Sequence, residues 1–576
     1  MKFKSCFILC SALLFISGCS KNTVNTSITK ADLVLTEGKI YTLNKQQPWA
    51  EAVAVKEGKI IFVGSNEEAK AYIGKNTQIQ DLAGRMLMPG INDAHVHPTR
   101  GGTKALFECN FAFNATPETI AARVAECVAD NPDATWIRGG QWDSGFFERF
   151  DIPSPKAFLD AVSGDKAVIL NDDSNHNGWA NSKALALAGI TKETRDLSDG
   201  TYVRDPISGE LTGLLLENAE QMLSDQVPDW STSEHIRGAA EGIKIANSFG
   251  ITGMKDASAT PEVMNAYKTL DDKNQFTVHM STSIKTPYGH RDILLDYDRI
   301  DQLREKYKSQ HINTSAVKIF MDGVPTSSRT AAMIEPYTAA TPDSLRVSGM
   351  LHIEPSLLAQ DVIELDKRGY TVKIHVAGDR AVRVALDAIS AARKANGQSN
   401  LKHELAHAGF IDKKDINRFA ELNAVADLSP YLWHPSPIID SIIAAVGSPK
   451  GEQYWPIKSL TEAKAPLLAG SDWPAAVESI DPWLGIEAMV TRTDPKEKFL
   501  GALWPEQAIS LEQALEIYTL NGAAAIGLSD KTGTIMKGKY ADFIILNQKL
   551  FEIPASKISE TQVLETWFEG KLVYKR

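Results

Sequence analysis

The chain has 576 residues and a formal net charge of −11. This acidic balance excludes proteins that bind nucleic acid through a basic face. Apolar residues make up 43% of the chain and charged residues 23%, a globular composition with enough length for more than one domain. Beyond the N-terminus no stretch has about 18 continuous apolar residues, so we predict no transmembrane helix.

Residues 1–18 have the pattern of an export signal. Lys2 and Lys4 supply positive charge, and the apolar stretch 7–16 is too short to span a bilayer comfortably. The sequence Ile-Ser-Gly-Cys ending at Cys19 resembles a bacterial lipobox, which implies cleavage before Cys19 and lipidation of its thiol. Ordinary secretion with cleavage nearby is the alternative. Residues 19–30 are predicted to be a polar tether, and Ser20 favours the outer membrane, facing the periplasm.

Two cysteines remain beyond the leader and the predicted lipidation site. These are Cys109 and Cys127. In an oxidising periplasm they could pair, but their positions in the sequence do not show whether they come close. We favour two buried thiols over a disulfide.

Both ends of the remaining chain are rich in short β-type runs punctuated by glycine and asparagine. Residues 31–88 and 527–576 are predicted to join into one small β-sandwich; the alternative is two unrelated β appendages. Between them, residues 89–526 alternate helical periodicity with short apolar strands, the pattern of a parallel sheet. The predicted helices are 117–129, 233–248, 355–367, 380–396 and 511–526. The predicted partner strands are 168–170, 316–320, 371–375, 405–407 and 466–469.

The most informative motif is His95-Val96-His97, which follows an apolar run and a Pro-Gly break. Residues i and i+2 of a strand share a face, so both imidazoles can reach one metal ion. Imidazole is a usual ligand of zinc-like metals. Two polar residues in a turn, or a core histidine, are the alternatives.

Four more candidate ligands lie at predicted strand ends: Lys318, His375, His407 and Asp472. His375 and His407 are 32 residues apart, about one βα unit, and His407 and Asp472 are 65 apart, about two. If His97 ends strand one, these residues fall on strands four, five, six and eight of a barrel, whose catalytic groups gather at the strand ends. The 221 residues between His97 and Lys318 exceed three units, so we predict an insertion between strands one and four.

This set of residues strongly resembles the metal-dependent amidohydrolase superfamily, and most closely amidohydrolase family 3, the YtcJ-like group. Matching stretches also occur at 176–185, 250–256, 318–323 with 328–330, and 538–543. The resemblance covers nearly everything after residue 30. It implies an α/β fold, a (β/α)8 TIM barrel with a β-sandwich built from both termini, and a mono- or binuclear metal site. One departure concerns strand six: the family usually has Glu-His-Ala-Gln, whereas this chain has Ala406-His407-Ala408-Gly409.

The resemblance also implies a division of labour. His95 and His97 would hold one divalent metal ion, zinc being favoured, and His375 and His407 a second, with Asp472 on the first. Lys318 would react with carbon dioxide to form a carbamate that bridges two metals. Asp472 would act as general base and then acid, so that metal-bound hydroxide hydrolyses a non-peptide C–N bond. Each of these residues also has a purely structural alternative. Lys318 could be a strand-end lysine whose amine extends to solvent, and His375 and His407 could be core histidines. Asp472 could cap a helix that begins near Pro474.

The predicted partner is a small-molecule substrate, and the oligomeric state stays open. Seven residues near predicted strand ends and loops are candidate substrate contacts, against the alternative of ordinary loop bonding or core packing. They are His176, Trp142, Asp322, Arg329, Tyr431, His434 and Trp473.

Three other functions compete with amide hydrolysis. The same site could hydrolyse esters or lactones, or the protein could be a catalytically weak binding or regulatory lipoprotein. The stretch His403-Glu404-Leu405-Ala406-His407 also matches the zinc-protease motif H-E-x-x-H. That function needs a helix and a third downstream ligand and leaves the other candidate ligands unexplained, so it is the least favoured.

Overall fold

The computed structural model describes residues 28–143, 145–197, 199–326, 328–338 and 347–576. The leader, Cys19 and most of the tether lie outside these ranges, so export and lipidation stay predictions. Within the described ranges, no helix is both long and apolar enough to cross a bilayer.

The N-terminal segment forms strands of two sheets. Its elements are β1 (Leu33–Thr36), β2 (Lys39–Tyr41), β3 (Trp49–Ala50), β4 (Ala52–Lys56), β5 (Lys59–Gly64), helix α1 (Asn66–Ala69), β6 (Gln78–Asp81) and β7 (Met86–Pro89). A short 3-10 turn, Lys70–Tyr72, follows α1. The first sheet has the order β5-β4-β1-β6. The strands β2, β3 and β7 belong to the second.

The first barrel strand and a large insertion follow. The strand is β8 (Ile91–Val96), and α2 (Pro98–Phe107) comes after it. The insertion comprises β9 (Cys109–Asn110), α3 (Pro117–Asp130), β10 (Trp136–Trp142), α4 (Phe146–Arg149), α5 (Pro155–Ser163), β11 (Ala167–Asp172), β12 (Asn177–Ala180), α6 (Ser182–Leu187), β13 (Gly200–Arg204), β14 (Leu211–Glu217) and α7 (Asn218–Ser224).

The insertion is a layered unit with its own six-stranded sheet, in the order β13-β14-β12-β11-β10-β9. One apolar cluster covers each face of this sheet. The predicted strand 168–170 belongs to β11 of this sheet, so its assignment to the barrel was wrong. An apolar run of that length suits any buried strand, and only the folded context separates the two sheets.

Cys109 and Cys127 form a disulfide that joins β9 to α3. The expectation of two free thiols was therefore wrong. Both cysteines belong to the apolar cluster between the insertion sheet and its helices. Their proximity depends on that packing, which the spacing of the two residues does not show.

The rest of the central segment completes the barrel. Its first part contains α8 (Thr232–Ser248), β15 (Ile251–Ala259), α9 (Pro261–Asp272), β16 (His279–Lys285), α10 (Tyr297–Tyr307), β17 (Ile312–Phe320), α11 (Pro355–Lys367), β18 (Thr371–Val376) and α12 (Asp379–Asn396). Its second part contains β19 (Glu404–His407), α13 (Ile416–Glu421), β20 (Val425–Leu428), α14 (Pro437–Val446), α15 (Ile457–Glu462), β21 (Leu467–Ala469), α16 (Pro482–Thr491), α17 (Leu511–Glu516) and α18 (Gly522–Ala525). A π-helical turn, Ile517–Asn521, joins the last two helices.

Eight parallel strands in the order β8-β15-β16-β17-β18-β19-β20-β21 form the nearly closed sheet of a TIM barrel, as the sequence predicts. Helices such as α11 and α12 pack on its outer surface within one continuous apolar core. The insertion lies between the first and second barrel strands. This position falls within the predicted interval, which the residue spacing placed only between strands one and four.

The C-terminal segment returns to the second terminal sheet. It adds β22 (Phe543–Leu546), β23 (Val563–Phe568) and β24 (Lys571–Lys575), and the sheet has the order β24-β23-β22-β7-β2-β3. Apolar side chains of both terminal sheets, including Val53 and Phe543, share one buried cluster. The two termini therefore build a β-sandwich together, as predicted.

Candidate metal centre

The barrel closes at the point where the candidate ligands meet. The amide of Asp472, just after β21, donates to the carbonyl of His95 in β8 over 2.7 Å, and the amide of His97 donates to the carbonyl of Trp473 over 2.9 Å. A Cβ at Gly470 would lie 2.3 Å from the His95 nitrogen, so a larger residue would push these strands apart. The last and first strands thus present Asp472 beside both histidines.

Three side chains form a compact donor group there. Oδ1 of Asp472 lies 3.5 Å from Nε2 of His95 and 3.2 Å from Nε2 of His97. One potential ligand atom from each residue lies within 4.8 Å of the other two. Asp472 adopts a left-handed φ of 61°, a conformation that is costly for a non-glycine residue and is often found at functional sites.

The orientation of His95 fits a metal ligand. Its Nδ1 lies 2.7 Å from Oδ2 of Asp427, so we assign the Nδ1 proton to that bond, which leaves the Nε2 lone pair free. This Nε2 atom is buried and has no hydrogen-bond partner among the described residues. Burial and the charges of Lys373 and Lys318 hold the pKa of His95 well below its usual value. A buried, neutral and unpartnered nitrogen that faces a carboxylate suits a metal ion.

Two further histidines lie against this group. The rings of His375 and His407 are 4.6 Å apart between centroids, and those of His95 and His407 are 4.8 Å apart. Nδ1 of His407 is 3.8 Å from Oδ2 of Asp472, and Nε2 of His375 is 3.2 Å from the carbonyl of Gly323. Burial and neighbouring cations hold the pKa of both histidines well below the usual value. Both are therefore neutral and able to coordinate.

Lys318 lies on the fourth barrel strand, β17, and is almost fully buried. Burial and the nearby charge of Lys373 lower the pKa of its amine to about 8. Its Nζ lies 5.2 Å from the centroid of the Phe320 ring. All six predicted ligands line one cavity of about 510 Å³, which we call the metal-site cavity.

Four buried charged residues, Lys255, Lys373, Glu404 and Asp427, form an ion network next to the candidate ligands. None of them is among the predicted site residues. Nζ of Lys373 lies 2.5 Å from Oδ2 of Asp427 and 2.9 Å from Oε2 of Glu404. Nζ of Lys255 lies 2.5 Å from Oε1 of Glu404. Asp427 is also the carboxylate that bonds to Nδ1 of His95. The network therefore fixes the orientation of the His95 ring, a candidate metal ligand. Its sequence signal is a charged residue inside an apolar strand, as in Thr-Val-Lys373-Ile-His.

Asp256 also lines the metal-site cavity, although it is not among the predicted site residues. Its Oδ1 lies 3.9 Å from Nδ1 of His97, and the hydroxyl of Tyr267 donates to its Oδ2 over 2.6 Å. Burial raises the pKa of the Asp256 carboxyl. Asp256 thus faces His97 from the second barrel strand.

His176 is the one predicted substrate contact that lines the metal-site cavity. The loop between β11 and β12 brings its ring within 5.6 Å of His375, between centroids. Its Nδ1 lies 2.8 Å from Oε2 of Glu217, to which the hydroxyl of Tyr288 donates over 2.6 Å. Although burial opposes ionisation, the charge and hydrogen bond of His176 lower the pKa of Glu217 to about 2. The pKa of His176 is raised, since Glu217 outweighs the effect of burial.

The other six predicted substrate contacts lie elsewhere. Arg329, Tyr431 and His434 line a neighbouring cavity of about 750 Å³, which we call the side cavity.

Trp142, Asp322 and Trp473 are buried and line neither cavity. Trp142 packs in the core of the insertion. Asp322 accepts bonds from the amides of Ala377 and Gly378. Oδ1 of Asp322 also lies 3.8 Å from Nε2 of His375. A role of these three residues in substrate binding stays a prediction.

Two alternatives from the sequence are wrong. The H-E-x-x-H stretch is not helical: Glu404–His407 is strand β19, and Nε2 of His403 lies 2.9 Å from Oδ1 of Asp366. Glu404 bonds to the two buried lysines instead of facing the ligands. Asp472 does not cap a helix either, because the next helix, α16, begins at Pro482 and is capped by Asp481.

Comparisons with known proteins agree with this architecture. A model described as Amidohydrolase family, the family-3 group, matches residues 78–574. The chain is 30% identical over 555 residues to Protein LONG AFTER FAR-RED 3 of Arabidopsis thaliana, covering 94% of this chain and 92% of that protein. It is 26% identical over 560 residues to N-substituted formamide deformylase of Arthrobacter pascens, covering 95% and 98%.

A solved structure of an uncharacterized metal-dependent hydrolase from Pyrococcus horikoshii has the same fold, with a TM-score of 0.71 and 22% identity. The match covers 91% of this chain and 99% of that one. The sequence resemblance is thereby confirmed. The chain belongs to amidohydrolase family 3, a group of metal-dependent hydrolases.

Proposed function

We propose that this protein hydrolyses a non-peptide C–N bond of an amide-type small molecule. The observation that carries the proposal is the donor group of His95, His97 and Asp472, in which Nε2 of His95 is buried and has no hydrogen-bond partner among the described residues. The name of the formamide deformylase relative supports an amide-type bond. A bound divalent metal, for which we favour zinc, would make a water molecule more acidic and polarise the substrate carbonyl.

The protein's own groups would provide the rest of the reaction. His95, His97 and Asp472 would hold one metal ion, and His375 and His407 a second. Lys318 would be a carbamate: with a pKa of about 8, part of its amine is neutral near pH 7 and able to add to carbon dioxide. Asp472, beside both strand-one histidines, would accept a proton from water and pass it to the leaving nitrogen.

The insertion would contribute to substrate binding. His176 faces the same cavity as His375, and Glu217 holds its ring through Nδ1. The other ring edge would then be available to bond to the substrate. The insertion sheet would thereby set the orientation of the amide.

The test is turnover by purified protein supplied with zinc, with N-ethylformamide, ethyl acetate and a blocked dipeptide as substrates. We expect hydrolysis of the formamide, and loss of that activity after chelation with recovery when zinc is returned. Faster turnover of the ester would favour the esterase alternative. No turnover of any substrate by metal-loaded protein would contradict hydrolysis and favour a binding or regulatory role.

A further inference from the structure

The side cavity adjoins the metal-site cavity. Among the described residues, four line both cavities: Asp173, Leu432, Ile438 and Ala476. Since the same residues border the two spaces, the cavities meet along this wall. A ligand that fills the metal-site cavity therefore has a neighbouring space of about 750 Å³ beside it.

Loops that follow the barrel strands run from one cavity to the other. After β17, Thr326 lines the metal-site cavity and Arg329 the side cavity. After β21, Asp472 and Ala475 line the first and Val477 the second. The side cavity is thus built in part from the same loops that carry the candidate ligands, and it adjoins the proposed reaction site.

The lining of the side cavity favours an apolar ligand. Several of its charged side chains are bonded within the protein: Asp143 accepts from Arg149 over 2.5 Å, Glu478 lies 3.6 Å from Lys496, and Asp494 accepts from the amide of Lys498 over 2.8 Å. Glu148 and Asp440 are exposed to solvent, and Asp173, Arg329 and His434 also line the cavity. Much of the remaining wall is apolar and includes Phe113, Phe150, Leu432, Ile438, Val477 and Phe499.

Exposed apolar side chains lie at one edge of the side cavity, next to the exposed Lys496 and Lys498. Phe499 lines the cavity and is 39% exposed, and the next residue, Leu500, is 93% exposed. Adjacent exposed apolar side chains beside an apolar cavity are typical of a binding site for an apolar group.

We propose that the side cavity holds an apolar substituent of the substrate, such as an alkyl chain, while the amide lies in the metal-site cavity. This inference rests on the proposed amide hydrolysis and narrows its substrate class to amphiphilic amides. Burial of each methylene contributes about 0.8 kcal/mol, or about fourfold in kcat/KM.

The experiment measures kcat/KM of the zinc-supplied protein on N-alkylformamides from ethyl to decyl. We expect a rise of about fourfold for each added methylene until the cavity is filled. Ala444 lies at an exposed position of α14 and lines only the side cavity. Ala444→Trp should occupy that space, remove the chain-length dependence and leave the ethyl substrate unaffected. Ala157→Trp, at an exposed position of α5 outside both cavities, should retain the wild-type dependence.

Calorimetric binding of the same compounds separates this inference from the proposed function. Turnover of the ethyl substrate with no effect of chain length, or an equal dependence in Ala444→Trp, would overturn the apolar subsite and leave amide hydrolysis intact. Absence of turnover, combined with binding that tightens with chain length in the wild type but not in Ala444→Trp, would support the subsite and overturn the hydrolysis.

Discussion

Asp472→Asn is expected to reduce kcat on an amide substrate by about 10²–10⁴-fold, the usual contribution of a positioned acid–base group. Asparagine keeps the shape and one oxygen of aspartate, but it cannot accept a proton. The carboxylate lies 3.2 Å from Nε2 of His97, where an activated water would lie close to both. The same variant should keep most of its metal, because the amide oxygen and both strand-one histidines remain.

The control for this variant is Asp530→Asn, at an exposed position far along the chain from the ligands. It should retain wild-type kcat, KM and metal content. A kcat for Asp472→Asn within tenfold of the wild type would contradict a proton-transfer role for Asp472. Loss of metal in step with kcat would instead show that Asp472 acts mainly as a ligand.

Lys373→Met is expected to lower the free energy of unfolding of the barrel by about 3–5 kcal/mol, the usual cost of breaking a buried ion pair. Its ammonium lies between the carboxylates of Asp427 and Glu404, and all three side chains are almost fully buried. Removing the cation leaves the Asp427 carboxylate in a poorly solvated interior without its lysine partner, whereas Glu404 keeps its contact with Lys255. Urea unfolding, followed by tryptophan fluorescence, measures the change.

Two variants control this measurement. Lys268→Met breaks the surface pair with Asp272 on α9 and should cost at most about 0.5 kcal/mol. Adding Asp427→Asn to Lys373→Met should recover part of the lost stability, because it removes one unpaired charge. A single Lys373→Met variant as stable as the wild type would show that the network does not stabilise the barrel.

The sequence predicts the barrel and the ligand set from two regularities. A βα unit has a characteristic length, so the 32 residues between His375 and His407 place them on neighbouring strands. Parallel strands present their carboxyl ends at one edge, which brings distant ligands together. Both regularities depend on local pattern and chain length, which can be read without the folded structure.

The remaining features depend on contacts between distant segments. Tyr431 and His434 follow a barrel strand, as expected of substrate contacts, yet the loop carries them to the side cavity. The insertion has strands of the same apolar type as the barrel, so strand 168–170 could not be assigned to the correct sheet. Pairing of Cys109 with Cys127 likewise depends on how α3 packs beside β9.

The most direct test of the metal site is the metal content of purified protein, measured by mass spectrometry for the wild type and three variants. We expect about one or two equivalents of zinc or a similar ion in the wild type, and loss of at least half of it in the double variant His95→Ala/His97→Ala. Lys318→Ala should lose metal as well if a carbamate bridges two ions. His434→Ala, which lines only the side cavity, should keep the wild-type content. Wild-type metal content in the double variant would contradict the site.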